Sequence, residues 1–256
     1  MFRILIDAPT NNGVGVAFTD RHSGVTEGPR GSLNLGRTTE STVADVETNF
    51  ERVRRAVGVD VVVTTHQVHG STVLDVDQDL VNRWGRRSNL GAPAGQAPLV
   101  QVDAMVTTLA GIALCIRVAD CVPVMLADVT RGVLGAAHAG RVGLLDGVLV
   151  NTVTRMRELG ARDIVGWVGP HVCGDCYEVP DEMAEAVSTT HPEIVATTSW
   201  GTASLDLGLG AELQLVELGV EAVRLDPCTM TSSDLHSHRR DGDDAGRLGG
   251  LVWRSR

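Results

Sequence analysis

A chain of 256 residues, 43% of them hydrophobic, can bury a full core and lies at the upper end of what one domain holds. Its formal net charge of -10 argues against a partner with a phosphate backbone, since nucleic-acid proteins carry a basic face; nucleotide-sized substrates stay open. The opening MFRILIDAPTNNGVG has no apolar run behind a basic end and no stretch is fit to span a bilayer, so the expectation is a cytoplasmic protein with no membrane partner. Five cysteines, an odd number, agree with a reducing compartment.

Apolar and β-branched runs bounded by Gly, Asn and Asp predict strands over residues 14–18, 61–65, 72–76, 104–107, 112–117, 122–128, 132–137 and 164–168. Apolar residues at three- and four-residue intervals predict helices over 42–57, 144–159 and 209–218. The first is capped by Ser41 or Thr42 and ends near Gly58. Residues 82–98, rich in Arg, Gly, Ala and Pro, read as a surface loop. Strands and helices mix without a strict βαβ rhythm, which predicts a single α/β domain over residues 1–256 with mixed β-sheets flanked by helices.

Three residues stand out chemically. Cys121 follows Asp120, and His69 in THQVHGSTV and His138 in GAAHAGRVG each sit beside glycine. Soft sulfur with two imidazoles suits zinc, and three protein ligands leave a fourth position for water or substrate. Spacing alone does not establish this, because no short zinc motif such as HExxH or paired CxxC is matched. A lone cysteine in an apolar run is ordinarily core packing. His66, three residues before His69, points to the opposite face of an extended strand and stays outside the ligand set.

The flanking words carry more. SLNLG (32–36), QVHG (67–70), DAMVTT (103–108), VADCVPVMLAD (118–128), GAAHAG (135–140), CYEV (176–179) and SHRRDG (237–242) occur in this order. Together they make the chain resemble, over nearly its whole length, the YfiH-like family. Its members were long labelled laccase-domain or multicopper polyphenol oxidase proteins and were later understood as zinc-dependent purine nucleoside phosphorylases. The resemblance implies His69, Cys121 and His138 as zinc ligands, with copper as a second choice. It implies purine nucleosides and inorganic phosphate as substrates: phosphorolysis of adenosine, inosine and S-methyl-5′-thioadenosine, together with adenosine deamination. It departs at one place, since AHAG is followed by Arg-Val-Gly and lacks the family's Trp; Arg141 supplies a cation one position early.

Arg21, in a segment similar to the family's arginine and two glycines, and Asn34 in SLNLG are candidates for positioning substrate. Asp120 is a candidate proton carrier or support for Cys121. Each also reads as an ordinary turn residue. The turn after His138 is a candidate phosphate seat. Cys173 and Cys176 form a CxxC, a weak signal without a second pair, and Cys176 reads as packing beside Tyr177. His236 and His238 share a strand face, but the arginines of SHRRDG look more useful. The DGDD run at 241–244 reads as a solvated turn. Three other readings stay open: a copper-dependent polyphenol oxidase, for which the well-placed histidines are few; a cysteine hydrolase or amidase using Cys121 and His138; and an envelope role in peptidoglycan editing, suggested by bacterial relatives.

Overall fold

Long apolar strands with no polar face must be covered on both sides. The computed structural model, which describes residues 1–36, 43–84, 89–90 and 100–256, satisfies this with two stacked six-stranded sheets and helices outside them. The first sheet is built from β1 (Phe2–Ile6), β2 (Val14–Thr19), β3 (Val61–Val63), β5 (Asn89–Leu90), β7 (Ile112–Val118) and β14 (Leu248–Arg254), in the order β1-β2-β14-β7-β3-β5. The second takes β4 (Val73–Asp75), β6 (Ala104–Thr107), β8 (Val122–Asp128), β9 (Val133–Ala139), β10 (Val165–Val168) and β13 (Glu221–Arg224), in the order β13-β10-β8-β9-β6-β4. Both are mixed, with parallel pairs at β3·β7 and β4·β6 among antiparallel ones. A short hairpin, β11 (Val195–Thr197) with β12 (Ala203–Leu205), stands apart.

The period of two along each strand sorts side chains into layers. In β7, Leu114 and Ile116 face the second sheet and meet Met105, Met125 and Leu134; Ala113 and Cys115 face outward, under Phe50 and Val53 of α1 (Val43–Val57). In β8, Val122, Val124 and Leu126 face the other outer layer, which includes α4 (Val148–Glu158), α5 (Asp181–Ser188) and α6 (Leu207–Glu217). The order of layers is helix, sheet, sheet, helices, and truncating a fully buried side chain such as Phe50 to alanine costs about 3 to 5 kcal/mol.

The eight predicted strands are present with ends shifted by a few residues. The helix predicted over 144–159 is two, α3 (Arg141–Leu145) and α4, broken where Gly147 takes φ +83°. The third begins at Leu207, capped by Asp206, whose Oδ1 accepts from the Leu209 amide at 2.8 Å. The cap expected at 41–42 lies outside the described residues, as do 85–88 and 91–98 of the expected loop; 82–84 instead belong to α2 (Gln78–Trp84), and 89–90 form β5. β14 is central to its sheet although Gly249 and Gly250 interrupt its apolar pattern. A Cβ at Gly249 would lie 2.7 Å from Leu35 Cδ1, so close packing explains the missing signal.

Two connections matter for function. The segment after β3 leaves the first sheet and enters β4 in the second; the short link from β7 to β8 makes the same crossing. Both crossings fall at one end of the sandwich. β9 also ends there, with His138 opposite Pro123, and β14 begins there, with Leu248 opposite Val118.

Candidate functional site

His69 lies on the first crossing, Cys121 at the end of the second, and His138 on β9 with its side chain in the inter-sheet layer. Their ligand atoms all lie within 4.8 Å of one another. Cys121 Sγ is 3.8 Å from His69 Nε2, and the two imidazoles meet edge to face with centroids 4.9 Å apart. Gly140 is required by this packing: a Cβ there would stand 2.7 Å from His69 Cδ2 and 3.2 Å from Cys121 Sγ.

Asp103, at the head of β6, organises the cluster. Its fully buried carboxylate accepts from His138 Nδ1 at 2.8 Å and from the amides of Val68, His69 and Gly70 at 3.1, 2.9 and 2.8 Å. One acid therefore fixes the His138 ring, leaving Nε2 free for the cluster, and folds the turn on which His69 adopts φ +63°. Burial alone would raise the Asp103 pKa; the His138 contact and the Gly70 and Val68 amides hold it below the usual carboxylate range. Burial would likewise raise the Cys121 thiol, but the neighbouring His138 and His69 imidazoles outweigh it and hold the thiol at about 6. Against the lowering effect of burial, the Cys121 thiolate and Asp103 raise His138 to about 9. A thiolate beside two imidazoles, one oriented by a carboxylate, is a donor set that fits a soft or borderline divalent cation.

Asp120 takes φ +89°, a left-handed conformation that costs a non-glycine residue on the order of 1 kcal/mol. Three contacts hold it there. Its carbonyl accepts from the Val172 amide at 3.0 Å, Oδ1 from the Thr229 hydroxyl at 2.6 Å and Oδ2 from the Arg239 amide at 2.7 Å. With both oxygens committed, Asp120 supports the crossing that presents Cys121.

A cavity of about 530 Å³ opens on the cluster, within the range of small-molecule sites. Its described wall includes His69, Cys121 and His138 with Arg117, Arg247 and His238, and no carboxylate. Arg117 donates to the Thr65 carbonyl at 2.7 Å, and the Gln67 side-chain amide brackets its backbone at 2.8 and 2.9 Å. Arg247 donates to the carbonyls of Ala245 and Gly246, and burial lowers its pKa from the ordinary value.

The other predicted residues fall elsewhere. Arg21 and Arg141 are not among the described residues of the wall. The Arg21 guanidinium is committed to the Pro29 carbonyl at 2.6 Å and to Asp241 at 3.7 Å. Asn34 is fully buried; its Oδ1 accepts from the amides of Gly36 and Arg247 at 2.7 and 2.9 Å, so it shapes the wall from behind. His66 does line the cavity, although it stands outside the ligand cluster. In SHRRDG the roles are reversed from expectation. Arg239 stacks on Tyr177 at 4.7 Å and Arg240 ties together loop carbonyls, whereas His238 lines the cavity and His236 is buried just ahead of it. The two histidines do not share a strand, because Ser237 caps α7 (His238–Asp241) between them. Asp103, Arg117 and Arg247 escaped the sequence reading. A charge placed within or at the edge of an apolar strand was the available signal in each case.

Residues 15–255 match the family model described as multi-copper polyphenol oxidoreductase laccase. The chain belongs to that laccase-domain family. Within the family it is 45% identical over 249 residues to a Streptomyces coelicolor protein named purine nucleoside phosphorylase, covering 95% of this chain and 97% of the relative. It is 39% identical over 250 residues to a Corynebacterium glutamicum protein of the same name, covering 96% of each. The crystal structure of YlmD from Geobacillus stearothermophilus superposes with a TM-score of 0.84 at 30% identity, over 99% of this chain and 97% of that one. A Bacillus licheniformis hypothetical protein, YfiH, superposes with a TM-score of 0.82 at 26% identity, over 95% and 94%. The laccase-domain fold is thus the mixed α/β architecture described above. Among the described residues, no helix is long and apolar enough to cross a membrane.

Proposed function

We propose that this laccase-domain protein is a purine nucleoside phosphorylase acting on adenosine, inosine and S-methyl-5′-thioadenosine, with adenosine deamination as a second activity. Its reaction centre is the cavity at His69, Cys121 and His138, and zinc is the cation those residues hold. The observation that carries the reading is the cavity wall: a thiolate–imidazole cluster and two arginines line one nucleoside-sized space, with no acid among the described lining residues to repel an anion. The relatives named purine nucleoside phosphorylase, at 45% and 39% identity over nearly full length, support it.

When bound, zinc supplies a Lewis acid that polarises an oxygen or nitrogen of the substrate. Arg117 and Arg247 bind phosphate through N–H donors whose fork geometry matches its oxygens. In phosphorolysis a phosphate oxygen attacks ribose C1′, the C1′–N9 bond breaks, and the purine leaves with the electron pair and takes up a proton. His238 is the donor we assign to that proton. With Nδ1–H donated to the Gly242 carbonyl at 3.0 Å, Nε2 delivers a proton to the base from the imidazolium form and the ring returns neutral. In deamination water adds at purine C6 and the exocyclic amine leaves as ammonia, in the same space. Asp120, Asn34 and Arg21 act by positioning the wall.

Incubation with adenosine, with and without phosphate, tests the reading by product identification. Adenine and ribose 1-phosphate are expected with phosphate and inosine without it. Arg247→Met should raise the phosphate KM by about one to two orders of magnitude, the value of a charge-assisted contact of about 1.5 to 3 kcal/mol, and spare deamination. Oxygen uptake with phenols and no phosphate-dependent turnover of any purine nucleoside would sink it.

One observation favours a second reading. Cys121, His138 and Asp103 also have the order of a nucleophile, a base and the acid that orients it. A metal-free preparation that hydrolyses amides and is inactivated by thiol alkylation would select the cysteine hydrolase.

A further inference from the structure

A second set of sulfur atoms lies outside the cavity. Cys173, Cys176 and Cys228 bring their Sγ atoms within 4.8 Å of one another, and all three are free thiols. Sequence spacing reveals only the CxxC half of this group; the third member arrives through the fold. A parallel bridge aligns His171 with Cys228, and the Thr229 amide donates to the His171 carbonyl at 2.9 Å. The CxxC segment is already turned inward, since the Cys173 carbonyl accepts from the amides of Cys176 and Tyr177 at 3.0 and 2.9 Å. Cys228 Sγ receives the Cys173 amide at 3.4 Å. Amide donors aimed at a sulfur stabilise it as a thiolate, and in metal–thiolate centres such contacts orient the ligand. Arg240, paired with Asp241, donates to the Thr229 and Ser232 carbonyls and fixes the loop that carries Cys228.

We propose that Cys173, Cys176 and Cys228 form a second metal site that takes a thiophilic d¹⁰ cation, zinc(II) or copper(I), through three thiolates. Thiolate sets of this kind select those two ions over harder cations. The site is structural. It ties the 171–177 segment to the 226–232 segment, and both brace Asp120: Val172 donates to its carbonyl and Thr229 to its Oδ1. A metal here therefore stiffens the crossing that presents Cys121, without touching the cavity.

The test uses the full chain purified under reducing conditions. Metal analysis after titration with zinc should find two equivalents in the wild type, one in Cys121→Ser and one in Cys228→Ser; copper(I), supplied separately, shows which of the two ions the thiols prefer. Cobalt(II) gives a reading that does not depend on altering the cluster. The Cys121→Ser chain, with all three cluster thiols intact, should still show thiolate-to-cobalt charge transfer, and the Cys121→Ser/Cys173→Ser double variant should lose it. A wild type that binds one equivalent, abolished by Cys121→Ser, with no charge-transfer band left in that variant, overturns the proposal.

Discussion

Replacing Asp103 by Asn changes no volume and removes one charge, which makes it a direct probe of how the cluster is built. The carboxylate accepts four hydrogen bonds, two at each oxygen: His69 N–H and His138 Nδ1–H at Oδ1, Val68 N–H and Gly70 N–H at Oδ2. An asparagine can keep its carbonyl oxygen on one pair only. Its NH₂ then faces two N–H donors that lose their acceptor. Each unsatisfied donor costs about 1 to 3 kcal/mol. If the amide nitrogen takes the Val68 and Gly70 side, where the amides are part-buried, the lower half of that range applies and Asp103→Asn should cost about 2 to 4 kcal/mol. Urea unfolding of the metal-free chain measures this. The same change leaves His138 without its anionic partner, so chelator competition should show zinc affinity falling about 10- to 100-fold, the usual effect of losing a ligand's supporting carboxylate. A variant that unfolds within about 0.5 kcal/mol of wild type and keeps its zinc affinity would refute the idea that this acid organises the site.

Other outcomes are as specific. His236 is fully buried, with Nε2 on the Leu33 carbonyl at 3.1 Å and Nδ1 without a partner among the described residues, and burial lowers its pKa to about 4. Its neutral form is favoured in the folded state, so its contribution is complete above about pH 6.5 and is lost as pH falls towards 4, by about 3 kcal/mol; His236→Asn should flatten that part of a stability-against-pH curve. Gly140→Ala should displace His69 and cut metal occupancy while the melting temperature of the metal-free chain moves little; equal occupancy in the two proteins would show that the ring has room to retreat. Cys121→Ser should lose tight binding at the cavity with the far-ultraviolet circular dichroism unchanged, and full occupancy there would send the ligand assignment to His66.

Strands buried on both faces are the easiest elements to read from sequence, and the runs at 112–117 and 122–128 are observed as β7 and β8 with nearly those bounds. What sequence hides is the partner sheet. Nothing in the period of β3 and β4 says that they belong to different sheets, although that crossing is what places His69 beside Cys121. The three cluster residues were legible because their neighbours are wordlike: Gly140 and Gly143 have no room for a side chain, so AHAG is constrained by packing. Asp103, Arg117 and Arg247 were not, because a single charge at a strand edge looks like a solvated end until the fold puts it against a cavity. The proposed anion contacts moved from Arg21 and Arg141 for the same reason: a flexible cation can be placed only when its own hydrogen-bond partners are known.

The two crossings from sheet to sheet also set a timetable. His69 and Cys121 are 52 residues apart, yet both sit where the chain enters the second sheet, beside His138 of β9 and Asp103 at the head of β6, so a chain that has not paired β4, β6, β8 and β9 has no cluster to offer. Metal can then engage only after those four strands of the second sheet have come together. A stabilising contact absent from the transition state slows unfolding and leaves refolding unchanged. Loading the protein should therefore lengthen the lifetime of the native state, and stripping it should produce a chain that folds as fast as before but falls open sooner.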